Sequence, residues 1–405
     1  MKRNGLRERK RCETMSEFIL QVPYGTHDVL PGEATARHLL ADKIYRLFSA
    51  WGYDEVETPS FEYLETFMET GQSNTGAFNL FDRAGRALIL RTDMTTPLAR
   101  MVATRMKKDA GIKRLSYQAR LFRYEEAQAG RQCEFTQCGI EMMGASGAVA
   151  DAEVIALAIN TLLETGLQDF SISLGQMEFI NGLMEEAGLS EAQSRAVKYC
   201  LIRRNAVGLA ELIEEAKVET KFAGLLKELL FLHGGIELLE TLAKQNLGKR
   251  CDYALNNLRE IYELVRAYDV ASYLSFDLGL IRSLDYYTGM LFEGYAPGMG
   301  YSLIGGGRYD TMMERFGYSC PATGFALGID RIVLTLERQG QLTGGNTPTT
   351  FIAFSKGQAA SAILLANQLR RQGVRIKLAD RPLGRAEAVE ESKILRCETF
   401  RYVGD

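Results

Sequence analysis

The chain has 405 residues, 46% of them hydrophobic and 24% charged, so it reads as a folded protein long enough for two or three domains of roughly 150 residues each. Lys and Arg number 48 against 51 Asp and Glu, a net charge of -3 that gives no overall basic field to gather a polyanion such as tRNA or DNA. No window approaches the ~18 uninterrupted apolar residues of a membrane span, and the seven scattered cysteines suit reduced thiols in the cytoplasm better than a disulfide framework. Cys133 and Cys138 are five apart, but none of the three histidines lies near them, so neither a metal nor a cofactor is expected. The opening "MKRNGLRERKR" predicts a disordered basic stretch over 1–15, with Met15 the more natural start and no signal-peptide core behind it.

In chain order, a turn-rich stretch containing Gly25, Pro31 and Gly32 precedes apolar residues at helical spacing, which predict an amphipathic helix over 34–51. Alternating patterns at 87–93, 114–125 and 133–144 predict strands joined by hairpins rather than βαβ units. A helix over 149–165 and a strand at "QDFSISLG" follow, and then the composition changes. From about 176 to 268 Leu, Glu, Lys and Ala dominate with helical periodicity, the mark of a helical insertion within a sheet domain of 16–340. Strand signals return at 271–308, and "DRIVLTLERQG" predicts a closing helix. Residues 341–350 have linker composition, and 351–405 read strand, helix, strand, the start of a small α/β unit. The whole is of the α+β class.

Four segments carry chemistry. In "LILRTDMTTPLAR", Asp93 and Thr95 share a face if the segment is extended, where a carboxylate and a hydroxyl suit an ammonium group; equally, they suit the start of a helix with Pro97 in its first turn. In "FRYEEAQAGRQCEFTQCGIEMMG", Arg123 and Arg131 flank a hairpin and could clamp a phosphate or a carboxylate, or serve as surface charge. Gln137, Gly139 and Glu141 share parity on the returning strand. The triple glycine of "LIGGGRYD" permits a close backbone approach, is neither a P-loop nor a dinucleotide turn, and is followed by Arg331 near the start of the last helix. Finally, "LIRSLDYYTGMLFEGY" sets Arg282, Asp285, Tyr286 and Tyr287 among apolar residues of strand-like pattern. Strand parity would split Arg282 and Tyr286 from Asp285 and Tyr287, so a loop or bulge is expected to gather Arg282 and both tyrosines.

Taken together, the Arg-loop-Arg hairpin, "GFALGIDR", "RSLDYYTG" and "GGGRYD" resemble the motifs of class II aminoacyl-tRNA synthetases, specifically histidyl-tRNA synthetase, over roughly residues 22–340. The resemblance implies an antiparallel sheet flanked by helices and a histidine pocket. In that pocket Asp93 and Thr95 would hold the amino group, Gln137 and Glu141 would face the ligand, and Arg282, Tyr286 and Tyr287 would surround it. Arg123, Arg131 and Arg331 would be the nucleotide-binding arginines, and the helix at 34–51 would lie in a dimer interface.

Departures from the pattern separate an active histidyl-tRNA synthetase from a relative. "IDR" stands for the usual Glu-Arg, Asp93 for the usual Glu, and Glu126 lies within the nucleotide loop, where it would repel phosphate. The piece after the linker is about half an anticodon-binding domain. This set of changes resembles the synthetase paralogues that serve as regulatory subunits of ATP phosphoribosyltransferase. That resemblance implies no aminoacylation, a vestigial nucleotide site and a short-form catalytic partner in a hetero-octamer acting at the first step of histidine biosynthesis. Histidine would be the feedback effector, bound either in the inherited pocket or at a subunit contact.

Overall fold

A computed structural model describes residues 20–68, 76–124, 132–282, 286–341 and 349–404. The basic stretch 1–15, Glu126, Arg131, Asp285 and most of the linker lie outside the described residues. Two compact units are present: one gathers residues up to Val29 and from Arg37 to Gln341, the other Leu30–Ala36 and Thr349–Gly404.

Helix α1 (Pro31–Ala50) begins three residues earlier than its apolar periodicity predicts, because Pro31 takes the first helical position, where a missing N–H is no loss. Strands β1 (Asp54–Glu55) and β2 (Phe61–Tyr63), helix α2 (Leu64–Met68), and strands β3 (Asn79–Phe81) and β4 (Ala87–Leu90) follow, with β2, β4 and β3 forming a small antiparallel sheet. Helix α3 (Thr95–Met101) leads to the hairpin of β5 (Lys113–Phe122) and β6 (Glu134–Met143), which pair along their whole length. Helix α4 (Ala148–Glu164) and strand β7 (Ser171–Gln176) precede the helical block.

That block holds α5 (Met177–Glu186), α6 (Glu191–Ile202), α7 (Ala206–Glu215), α8 (Thr220–Glu228), a two-residue strand β8 (His233–Gly234), α9 (Ile236–Ala243) and α10 (Lys249–Ala267). Good helix formers fill it, and a reciprocal capping box of Ser190 and Gln193 starts α6. The unit closes with β9 (Leu274–Asp277), β10 (Met290–Tyr295), β11 (Ile304–Arg308), β12 (Ala322–Gly328) and α11 (Ile329–Arg338).

The main sheet runs β1-β5-β6-β12-β11-β10-β7-β9-β8. Its centre, β5 through β7, is antiparallel as expected, but β1 pairs parallel with β5 and β7 parallel with β9, so the sheet is mixed. Parallel neighbours need long crossovers, and the helical block supplies the one from β7 to β9. One face carries Ile140, Phe325, Leu327, Ile304, Phe292 and Leu174, all buried in the larger hydrophobic core with α4 and α10.

Arg308 pins β11 to α4 on that side. Its Nε lies 3.0 and 3.1 Å from the two Asp151 oxygens, and Nη1 donates to Ala145 O and Asp310 Oδ1, both at 3.0 Å. Burial pushes the Asp151 carboxyl up while the Arg308 charge opposes it. Removing the guanidinium strands a carboxylate that is 2% exposed. Arg308→Ala is therefore expected to cost about 3–5 kcal/mol of stability, read from urea unfolding midpoints.

The C-terminal unit has β13 (Thr349–Phe354), α12 (Ala359–Arg371), β14 (Arg375–Leu378), α13 (Arg385–Ile394) and β15 (Thr399–Val403). Its parallel sheet runs β14-β13-β15, with the fully buried β13 central. Phe351, Ile352, Ala362, Ala366, Leu383 and Ala388 form its own small core.

Candidate functional site

Cross-strand partners point to one side of a sheet, so the register decides which residues meet. Gln137, Gly139 and Glu141 on β6 pair with Ala119, Tyr117 and Leu115 on β5, and with Gly328, Ala326 and Gly324 on β12. Gly324 and Ala326 pair with Gly307 and Gly305 on β11, which pair with Leu291 and Glu293 on β10, and these with Gly175 and Ser173 on β7. The face opposite the main core is thus paved with glycine.

What fills the missing side-chain volume is the candidate site. A Cβ on Gly139 would meet the Tyr117 phenol, one on Gly324 the Glu141 carboxylate, one on Gly305 the Arg282 guanidinium, and one on Gly307 would lie 2.8 Å from the Tyr287 ring. Arg282, Tyr286 and Tyr287 come from the segment between β9 and β10. Among the described residues of "LIRSLDYYTGMLFEGY", only Met290–Tyr295 pairs in the sheet. Parity therefore does not apply to Arg282, Tyr286 and Tyr287.

Glu141 is the centre of the site, 2% exposed. Thr95 Oγ1 donates to its Oε1 at 2.8 Å, and the Tyr309 hydroxyl donates to its Oε2. Tyr309 meets Tyr286 edge-on at 5.6 Å between centroids, and Tyr286 lies 4.7 Å from Tyr287. Arg282 Nη1 donates to the Tyr287 hydroxyl at 3.4 Å, while its Nε stands 3.3 Å from Glu293 Oε1. Asp93 is buried and accepts the Thr96 N–H at 2.9 Å. It thus satisfies a first-turn N–H of α3 from just outside the helix, whose N-cap is Met94, and Thr95 is the first helical residue rather than part of an extended segment.

Burial pushes the Glu141 carboxyl up to about 8; the Tyr309 and Thr95 hydrogen bonds oppose the shift and the nearby Asp93 charge adds to it. Burial likewise drives the Tyr117, Tyr286 and Tyr309 phenols well above their ordinary range, so all three remain neutral donors and acceptors. Burial works against the Arg282 charge, but Tyr287 and Glu293 hold its pKa above the ordinary value. Two acids, neutral phenols and one arginine offer buried hydrogen-bond donors and acceptors of both charges to a small polar ligand.

Two of the arginines that the resemblance assigns to a nucleotide are bound to main-chain carbonyls. Arg123 Nη2 donates to Thr92 O at 2.7 Å, with its guanidinium 5.5 Å from the centre of the Phe135 ring. Arg331 Nη1 donates to Ser302 O at 2.8 Å, its guanidinium lies 5.1 Å from the centre of the Tyr301 ring, and its stem passes over Gly328, the partner of Gln137. Arg131 lies outside the described residues. The structure thus brings Asp93, Thr95, Glu141, Arg282, Tyr286 and Tyr287 together, with Gln137 on the same face. Sequence reasoning missed Tyr117, Glu293 and Tyr309. Parity signals the last, since Tyr309 follows Gly305 and Gly307 at intervals of two.

Among the described residues, no group of three or more His, Cys, Asp or Glu side chains could hold a metal ion. Nor is any described helix long and apolar enough to cross a membrane.

An antiparallel centre with parallel flanking strands and a glycine-lined face define a class II synthetase-like protein, and residues 25–332 match the family described as histidyl-tRNA synthetase. A histidyl-tRNA synthetase from Nostoc sp. PCC 7120 shares the fold, with a TM-score of 0.80 at 21% identity over 93% of this chain and 89% of that one. The chain belongs to a more particular group within that fold, the ATP phosphoribosyltransferase regulatory subunit family. It is 38% identical to the member from Acetivibrio thermocellus over 366 residues, 90% of this chain and 88% of the relative. With the member from Moorella thermoacetica it shares 39% identity over 376 residues, 92% and 95% of the two chains. A structure described as an ATP phosphoribosyltransferase regulatory subunit/histidyl-tRNA synthetase from Bacillus halodurans superposes with a TM-score of 0.85 at 32% identity, covering 96% of this chain and 99% of that one.

Proposed function

We propose that this chain is the non-catalytic regulatory subunit of an ATP phosphoribosyltransferase and holds histidine in the pocket around Glu141 as a feedback effector. The observation that carries the reading is the contrast between two sets of side chains. The amino-acid end keeps buried acids, phenols and an arginine in mutual contact, while Arg123 and Arg331 donate to main-chain carbonyls of their own chain. Adenylate chemistry needs cations aimed at a transferring phosphate; sensing needs only a difference in affinity between two states. Asp93 and Thr95 would meet the ammonium, Gln137 and Glu141 the ligand from the sheet, and Arg282 its carboxylate, with Tyr286 and Tyr287 around it. Arg123, Arg131 and Arg331 would form a vestigial nucleotide site.

The partner is a short-form catalytic subunit joining ATP to phosphoribosyl pyrophosphate. The chain self-associates as a dimer, the assembly is a cytoplasmic hetero-octamer, and no tRNA is charged. The test is co-purification with a short catalytic subunit, followed by phosphoribosyl transfer with and without histidine. The expected result is higher activity in the mixture and inhibition by histidine; histidine charging of tRNA by the isolated chain would overturn the reading. In the same assay Arg282→Ala should leave assembly intact and raise the histidine needed for half inhibition by about tenfold or more. Unchanged inhibition in that variant would move the effector site to the partner or the interface.

A further inference from the structure

Arg282 is the arginine of the amino-acid end of the pocket, and its aim depends on Glu293, which is not itself aimed at the ligand, as well as on Tyr287. Its guanidinium lies flat over Gly305, where any Cβ would collide with it. Nη1 is tied to the Tyr287 hydroxyl and Nε faces Glu293 Oε1. Glu293 is in turn fixed from behind, because the Tyr295 hydroxyl donates to its other oxygen, Oε2. Glu293 and Tyr295 share the pocket face of β10 by strand parity, and Glu293 pairs with Gly305 on β11. The carboxylate and the glycine beneath the guanidinium are thus cross-strand partners.

We infer that Glu293, braced by Tyr295, is a positioning residue that turns Arg282 toward the ligand's carboxylate, and that the pair decides whether the pocket distinguishes an amino acid from its amino alcohol. The inference rests on the pocket reading above. An arginine held at Nε and Nη1 offers its remaining Nη2 edge in one direction, and a planar guanidinium rewards a carboxylate only when the two are aligned. Without Glu293 the side chain regains its rotamers, so the carboxylate contact weakens while the ammonium and imidazole contacts around Glu141 stay as they are.

The experiment is calorimetric titration of the full chain with L-histidine and with L-histidinol, which has CH2OH in place of the carboxylate. The parent chain should prefer histidine by about tenfold or more. Glu293→Gln should weaken histidine by about tenfold and leave histidinol within about twofold, so that the preference collapses; Tyr295→Phe, which keeps the carboxylate, should reproduce the effect in part, about threefold. Equal losses for both ligands would mean a merely structural role and overturn the inference, as would an unchanged preference in both variants. A parent chain that binds neither ligand overturns the pocket reading itself, a separate outcome. Tyr295→Phe supplies the answer if Glu293→Gln fails to fold.

Discussion

Exchanging Glu141 for glutamine leaves a folded chain whose affinity for histidine is lower by roughly two orders of magnitude, the worth of a charge-assisted hydrogen bond in a dry site. Thr95 and Tyr309 each donate to a Glu141 oxygen. The amide keeps one acceptor for these two donors, but it cannot become an anion. The acid is pushed up to about 8, burial being the main cause and Asp93 a further one. At pH 7 it is therefore mostly protonated, which spares the site two adjacent negative charges. An ammonium or imidazole N–H arriving beside it favours the ionised form, so binding at pH 7 releases a proton. Calorimetry in buffers of different ionisation enthalpy should show this release in the parent chain and lose it in Glu141→Gln.

The same acid sets a stability slope whose sign follows from its raised pKa. In the unfolded chain the carboxyl titrates near its ordinary 4.5, and in the fold near 8. Between those values the folded state holds a proton that the unfolded state has released. The contribution is therefore full below about 4.5 and is lost as pH rises through about 8, a loss of up to roughly 5 kcal/mol. Urea midpoints of the parent chain should fall from pH 5 to pH 8, and those of Glu141→Gln should fall less. Equal slopes would mean that Glu141 titrates alike in the folded and the unfolded chain.

How much of this was legible in the sequence depended on how local the signal was. The β5–β6 hairpin and the helical block were readable because alternation and helical composition are local patterns. The parallel pairings of β1 with β5 and of β7 with β9 were not, since they join strands distant in sequence through backbone hydrogen bonds that leave no side-chain pattern. For Asp93 the helix-start and pocket readings stand as alternatives in the sequence, yet one carboxylate accepts a first-turn N–H of α3 and stands close enough to Glu141 to raise its pKa. Tyr117 and Glu293 were invisible because only the pairing of β5, β6, β12, β11 and β10 places them on the pocket face. Strand parity fails for Arg282 and Tyr287 because both lie outside β10 and pack over the glycine face.

That glycine face predicts opposite outcomes for two neighbours in one motif. Gly305 faces the pocket, and the three atoms nearest to a Cβ there all belong to the Arg282 guanidinium, the far end of a flexible side chain. Gly306 faces the other way, and its Cβ falls on the Gly324 carbonyl oxygen and, at 2.8 Å, on Phe325 Cα, both main chain of the adjacent β12. A side chain can move aside; a paired strand in the middle of a nine-stranded sheet cannot. Gly305→Ala is thus expected to keep its melting temperature within a few degrees while weakening histidine by about tenfold, because Arg282 is lifted off its seat. Gly306→Ala should part β11 from β12 and lose about 3 kcal/mol or more, enough to leave much of the chain insoluble. Thermal melts and histidine titrations of the two variants separate the claims. A stable Gly306→Ala would show that β11 and β12 can slide apart without cost, and a destabilised Gly305→Ala would show that Arg282 holds the fold as well as the ligand.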